Sequence, residues 1–120
     1  MAEPVQASAR TVVTGGIRVG NVYFSSGITG VRPEAHKNPL LFGGDIKEQT
    51  RTILEKHRAN LQAMGSSLQH VVEVTIYLAD VKTEKSAMNE VYEQYVPTES
   101  PARSAIGAEF PDSVRAWKSI

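Results

Sequence analysis

One strand-like run, HVVEVTIYLAD at residues 70–80, constrains the fold more than any other part of the sequence. Its residues alternate in direction, which is the pattern of a β-strand. One side carries Val72, Val74, Ile76 and Leu78, and the other carries Val71, Glu73, Thr75 and Tyr77. Because both sides include apolar residues, the run is predicted to be a central strand with both faces of its sheet covered.

One helix is predicted before this strand in the sequence and one after it. Asp45 followed by Glu48 is typical of a helix start, and Gly65 is typical of a helix end. Between them, residues at helical spacing form one mainly apolar face: Ile46, Thr50, Ile53, Leu54, His57, Leu61 and Met64. The stretch TEKSAMNEVYEQYV is predicted to form a second helix that ends before Pro97, with one face made by Met88, Val91, Tyr92 and Tyr95.

Shorter β-rich runs flank this unit. Residues 10–17 and 21–26 are predicted to form a hairpin, residues 28–44 a loop with at most one short strand, and ARSAIGAEF and SVRAWKSI two further strands. Residues 1–9 have the composition of a loose terminus. The order indicates a single α+β domain over residues 1–120, with two helices on one sheet face. The other face requires a partner, which oligomerisation would supply.

Composition excludes several function classes. Thirteen basic residues balance thirteen acidic ones, which argues against nucleic acid as a partner. The chain has no cysteine, so disulfides, thiolate nucleophiles and thiolate metal sites are excluded. Since no secretory-signal pattern and no long apolar stretch occur, no membrane association is expected and a cytoplasmic location is predicted.

No metal or cofactor is expected. The only three histidines, His36, His57 and His70, do not have the spacing of a zinc site. His57 is expected to pack at the boundary of helix and sheet, and His36 and His70 are expected to be solvated on a loop and at a strand edge. The segment GGIRVG lacks the spacing of a dinucleotide-binding loop, and no phosphate-binding loop occurs. No GxSxG motif is present either, so Ser25 and Ser26 in FSSG are not assigned as nucleophiles.

Arg103, in the segment SPARSAI, is the most informative polar residue. It opens a predicted strand among small, apolar neighbours, where a guanidinium is costly unless it is paired or faces a cleft. Its planar fork of donors can hold a carboxylate through two parallel hydrogen bonds. Carboxylate binding, a salt bridge between subunits and simple exposure all remain open from the residues alone.

Four segments together give a family resemblance: VGNVYFSSG, the run from IKEQ to YLAD, MNEVYEQYV and SPARSAI. Over about residues 17–111 the chain resembles the reactive intermediate deaminase family (Rid, or YjgF-like). The resemblance implies a chorismate-mutase-like α+β fold with a mixed sheet. It also implies a homotrimer with a central barrel and three clefts between subunits.

The resemblance also implies a substrate site. Arg103 would hold the substrate carboxylate, and the backbone around Ser104 and Ala105 would help to orient the substrate. Ser26 with Gly27 would line the pocket, with Asn89 beside the cleft; for Asn89, a hydrogen bond on the helix surface is the alternative. Deaminating members hydrolyse enamines and imines of small carboxylic acids to carbonyl compounds and ammonia, without a cofactor. Such an enzyme would be a hydrolase that removes damaging metabolites.

Two departures from the family pattern leave the chemistry open. The glutamate expected in a last-strand V-x-I-E-like run is replaced near Trp117 in VRAWKSI, and Trp117 is expected to form a wall of the pocket or to pack in the barrel. The pocket tyrosine is replaced at about Val13. Glu109 could substitute as the acid or simply be solvated. The alternative function is therefore a non-catalytic trimer that binds a metabolite or a protein, or a related enzyme that does not deaminate. A ribonuclease ranks third, given the neutral charge.

Overall fold

The structure, a computed structural model, describes residues 10–30, 45–96 and 101–109. Its strands are β1 (Arg10–Val13), β2 (Gly16–Val19), β3 (Val22–Ser25), β4 (Glu73–Leu78) and β5 (Ala102–Gly107). Its helices are α1 (Ile46–Ala63), α2 (Val81–Tyr95) and a short 3₁₀ helix at Leu68–His70. The predicted loose tail, most of the predicted 28–44 loop and the predicted last strand lie outside the described residues.

The N-terminal β region contains one more strand than predicted. The run expected as one strand over residues 10–17 divides at Thr14–Gly15, where a tight turn joins β1 to β2. Gly15 has φ 74°, in the left-handed region that favours glycine. Gly20, with φ 59°, supports the next turn, and the three strands pair antiparallel in the order β1-β2-β3. The single-strand prediction was wrong because Thr14 and Gly15 form a hairpin turn and the strand resumes only at Gly16.

Helix α1 confirms the predicted start and end signals. The Asp45 carboxylate accepts a hydrogen bond from the Glu48 backbone N–H at 2.9 Å, and Gly65 follows the helix with φ 77°. Its buried residues are Gln49, Thr50, Ile53 and Leu54. The apolar face predicted from the spacing therefore packs inward, with Gln49 added to it.

Helix α2 begins two residues before the predicted stretch because Asp80 caps it. The Asp80 carboxylate accepts from the Thr83 N–H at 3.4 Å, and the Asp80 N–H donates to the Glu84 carboxylate at 2.9 Å. This reciprocal arrangement satisfies two otherwise free donors at the helix start. As predicted, Met88, Val91 and Tyr92 of α2 are buried.

Strands β4 and β5 pair in parallel and carry the main core. In each strand alternate residues face the helices: Val74, Ile76 and Leu78 of β4 lie beside Arg103, Ala105 and Gly107 of β5. Ile76 and Leu78 are each 1% exposed and pack with Leu54, Met88 and Val91. The prediction that Val72 shares this face was wrong, because the strand begins at Glu73 and Val72 is 80% exposed.

Within the described residues, each of the two sheets has one apolar face that no helix covers. On the β4–β5 face away from the helices, Tyr77 lies beside Ile106, and they are 38% and 45% exposed. In the sheet of β1, β2 and β3, the side chains of Val12, Val22 and Phe24 are exposed on one face. Ser25 lies on the opposite face, which approaches α1. The α+β class is confirmed, with both antiparallel and parallel pairing. That β4 is a central strand stays a prediction, since its partner among the described strands is β5 alone.

Candidate carboxylate-binding site

Arg103 lies on the helix-facing side of β5 and reaches across to α2. Its position beside Val74 in the parallel register directs the side chain toward the helices, and its guanidinium ends at the surface. One guanidinium nitrogen, Nη1, donates to the Asn89 side-chain oxygen at 2.7 Å. Among the described residues no carboxylate pairs with Arg103. Most of its five donors therefore have no partner within that part of the chain.

The aromatic ring of Tyr92 lies under the same guanidinium. The Cζ atom of Arg103 is 4.8 Å from the centre of the Tyr92 ring, within the range of a cation–π interaction. Tyr92 is 4% exposed, and its hydroxyl has no hydrogen-bond partner among the described residues. Burial raises the pKa of this hydroxyl, and the Arg103 charge offsets part of the rise.

The structure therefore brings Arg103 together with one of the predicted site residues, Asn89. It also adds Tyr92, which sequence reasoning assigned only to the apolar face of α2. The signal was present in the sequence: Asn89 and Tyr92 are three residues apart, so they lie on one face of a helix. A place on an apolar helix face explains a tyrosine at this position equally well. Its contact with the guanidinium could therefore be recognised only once the structure had placed Arg103.

The other predicted residues of β5 lie differently. Ser104 pairs with Thr75, so its side chain points to the uncovered sheet face, away from Asn89. Ala105 is on the same face as Arg103 and packs against the core. Glu109, considered as a substitute acid, is exposed beyond the end of β5. Trp117 lies outside the described residues.

Ser26 and Gly27 lie beside α1, in a separate group of contacts. The Ser26 N–H donates to the Gly15 carbonyl at 2.8 Å, and the Ser25 hydroxyl is 3.4 Å from His57 Nδ1. Gly27 lines a shallow surface depression with Ile28, Thr29, Lys56, Ala59 and Asn60. Among the described residues, no hydrogen bond joins this group to Arg103 or Asn89.

Helix α1 fixes the segment that contains Ser26 and Gly27. The Lys56 ammonium donates to the Thr29 carbonyl at 3.0 Å, and burial lowers the pKa of Lys56. His57, predicted to pack at the boundary of helix and sheet, is partly buried against the end of β3. His70 is exposed in the 3₁₀ helix and not at a strand edge, with Ser66 and Ser67 hydroxyls 3.4 and 3.5 Å from its Nδ1.

Two further searches cover only the described residues. No group of three or more His, Cys, Asp or Glu side chains there could hold a metal ion. Neither α1 nor α2 is long and apolar enough to cross a membrane. The candidate site in this part of the chain consists of the Arg103 guanidinium, the Asn89 amide and the Tyr92 ring.

Comparison with known proteins decides the family. The model of the family described as Endoribonuclease L-PSP matches residues 4–112. The chain is 42% identical over 90 residues to a RutC family protein of Pyrococcus abyssi, covering 75% of this chain and 68% of that protein. The chain belongs to this family. It is also 38% identical over 88 residues to Reactive Intermediate Deaminase A, chloroplastic, of Arabidopsis thaliana, covering 73% of this chain and 45% of that protein.

Solved structures agree with this assignment. The yeast protein YEO7 superposes with a TM-score of 0.73 at 29% identity, covering 98% of this chain and 93% of that one. The Rid, or YjgF-like, membership and the YjgF-like α+β fold predicted from the sequence are thus confirmed.

Proposed function

We propose that this Rid-family protein hydrolyses a small enamine or imine that carries a carboxylate. The observation that carries the proposal is Arg103, whose guanidinium is held by Asn89 and Tyr92 while most of its donors have no partner among the described residues. An arginine fixed in this way suits a planar carboxylate, which it can grip through two charge-assisted hydrogen bonds. The name of the Arabidopsis relative, a reactive intermediate deaminase, supports the same chemistry.

In the proposed reaction, Arg103 holds the carboxylate end of a 2-imino acid and exposes the C=N carbon to water. Water oxygen adds to that carbon and one water proton moves to nitrogen, which gives a carbinolamine. The remaining hydroxyl proton then moves to nitrogen as the C–N bond breaks and the C=O bond forms, releasing ammonia and a 2-oxo acid. Fixing one end of the substrate contributes by lowering the entropic part of the barrier. The chain has no carboxylate in VRAWKSI to move the proton, so water held by the backbone or the substrate itself would do so.

We also propose that the site is completed by assembly into a homotrimer with a central barrel. Ser26 and Gly27 lie beside α1, and no hydrogen bond among the described residues joins them to Arg103. A cleft between subunits would allow one subunit to supply Arg103 and its neighbour Ser26 and Gly27. The uncovered apolar faces would then form the centre of the trimer. The β5 backbone at Ser104 and Ala105 would orient the substrate, and Trp117 would form a wall.

The direct test is release of ammonia and 2-oxo acid from 2-imino acids generated in the assay by an amino-acid oxidase. Arg103→Ala removes the anchor, and Arg103→Lys keeps the charge but loses the fork. Lys85→Ala, which removes an exposed cation from α2, is the matched control. We expect kcat/KM to fall at least about 100-fold in Arg103→Ala, because two hydrogen bonds to a charged group are worth roughly 3 kcal/mol or more.

A second function, a trimer that binds a metabolite without catalysis, is favoured by the replacement of the expected last-strand glutamate near Trp117. Such a protein would bind a 2-oxo acid saturably through Arg103 and would release no ammonia above the spontaneous rate. The single domain over 1–120 and the cytoplasmic location stay predictions, and the Arabidopsis relative is named as chloroplastic.

A further inference from the structure

Two residues of α2, one helical turn apart, contact Arg103 from different directions. The Asn89 oxygen accepts from the edge of the guanidinium at 2.7 Å, whereas the Tyr92 ring faces the guanidinium with its centre 4.8 Å from Cζ. An edge contact and a face contact together restrict both the position and the tilt of a planar group. Either contact alone would leave the guanidinium free to rotate about one axis.

This restriction matters because Arg103 ends at the protein surface. A long, exposed arginine samples many rotamers, and ordering it when a ligand binds costs conformational entropy. A guanidinium that is already fixed avoids much of that cost, which improves affinity without adding a contact to the ligand. Tyr92 is suited to this task because its ring is anchored in the core with Ile76, Met88 and Val91.

We propose that Tyr92 is a positioning residue, whose ring, together with Asn89, fixes the plane of the Arg103 guanidinium for a planar carboxylate. The identity of the ligand as a carboxylate rests on the function proposed above. The role belongs to the face of the ring and not to the hydroxyl. Replacement of Tyr92 by Phe should therefore preserve it, whereas replacement by Leu should remove it.

The test measures binding of pyruvate, the simplest 2-oxo acid, by calorimetric titration alongside turnover of 2-iminopropanoate. For Tyr92→Leu we expect the pyruvate Kd and the KM to rise about 3- to 30-fold, the range of a cation–π contact. The kcat should change little, because the lost interaction acts equally on the bound substrate and the transition state. Tyr92→Phe should retain the wild-type Kd.

Because Leu at a core position can also disturb packing, a second series keeps the shape of the ring. Phenylalanine at position 92 is compared with its 4-fluoro, 3,5-difluoro and 3,4,5-trifluoro forms, since fluorine withdraws electron density from the ring face. The Kd for pyruvate should rise in that order at unchanged Tm. In the same series, the Arg103 Nε–H resonance, assigned with Arg103→Lys, should report the changing contact by NMR.

Tyr95→Leu is the matched control. Its ring lies one turn further along α2, under Arg58 and not under Arg103, with the Arg58 Cζ 5.7 Å from the ring centre. This variant should leave the pyruvate Kd unchanged.

The outcomes separate the two proposals. Pyruvate binding that depends on Arg103 and on ring fluorination, without imine turnover, would support the role of Tyr92 and refute deamination. Imine turnover with a Kd that is constant across the fluorinated series would refute the role of Tyr92 and leave deamination supported. A wild-type protein that binds no pyruvate would overturn the inference.

Discussion

Substitution of Ile106 by Asp tests whether the uncovered face of β4 and β5 is the centre of an assembly. Ile106 and its cross-strand neighbour Tyr77 are 45% and 38% exposed, so about half of each side chain could still be buried. Fully burying such a side chain is worth about 1.5–3 kcal/mol, so Ile106 would contribute about 1 kcal/mol to each subunit contact. A carboxylate in the same place would add a desolvation penalty of several kcal/mol.

The combined loss exceeds about 3 kcal/mol per subunit and weakens subunit association by about 100-fold or more. In the isolated subunit the position is half exposed, so the free energy of unfolding should fall by no more than about 1 kcal/mol. Size-exclusion chromatography with light scattering at micromolar concentration measures the mass, and urea unfolding measures stability. Gln94→Asp, on the exposed side of α2, is the control and should keep the wild-type mass. If Ile106→Asp also keeps the wild-type mass, or the wild type is a monomer, this face is not the interface.

Three further predictions concern stability. Gly15→Ala should lower the free energy of unfolding by more than Gly20→Ala in urea titrations. Both positions have positive φ, but only at Gly15 would an added Cβ clash with the Asn60 side-chain nitrogen; equal losses would contradict the close contact. Asp80→Ala should cost about 1 kcal/mol by the same assay through loss of the α2 cap, and Asp80→Asn should recover most of it. Burial, together with the hydrogen bond to the Glu55 carboxylate, raises the pKa of Tyr95 above the ordinary tyrosine value of about 10. The folded state therefore holds this proton more tightly, and stability should fall as the pH rises above about 10. Thermal melts of Tyr95→Phe should show a smaller fall over that range, and an identical fall would refute the assignment.

The helices and the core strand were predictable because local signals and packing agree there. Asp45 and Gly65 bound α1 in the sequence and in the structure, and the alternation of Ile76 and Leu78 matches their burial. Asp80, which begins α2, was predictable from the same capping rule but was assigned to the end of the preceding strand. Residues at the ends of a helix, such as capping aspartates and a terminal glycine, were thus the most informative about its bounds.

Features that depend on distant residues were less predictable. The division of β1 from β2 at Gly15 depends on a turn conformation, and a glycine pair within a β-rich run is also compatible with a bulge. At the candidate site, the resemblance indicated Arg103 and Asn89, but not that they contact each other. Tyr92 could not be connected with them, because its place on an apolar helix face was a sufficient explanation until the parallel register brought Arg103 over its ring.

The measurement that tests the central claim most directly is ammonia release from 2-iminopropanoate by the wild type and by Arg103→Ala, at matched subunit concentration and matched oligomeric mass. We predict release above the spontaneous rate for the wild type and a loss of about 100-fold or more in kcat/KM for the variant. Equal rates in the two proteins, or no acceleration by the wild type over a panel of 2-imino acids, would contradict deamination at a site anchored by Arg103.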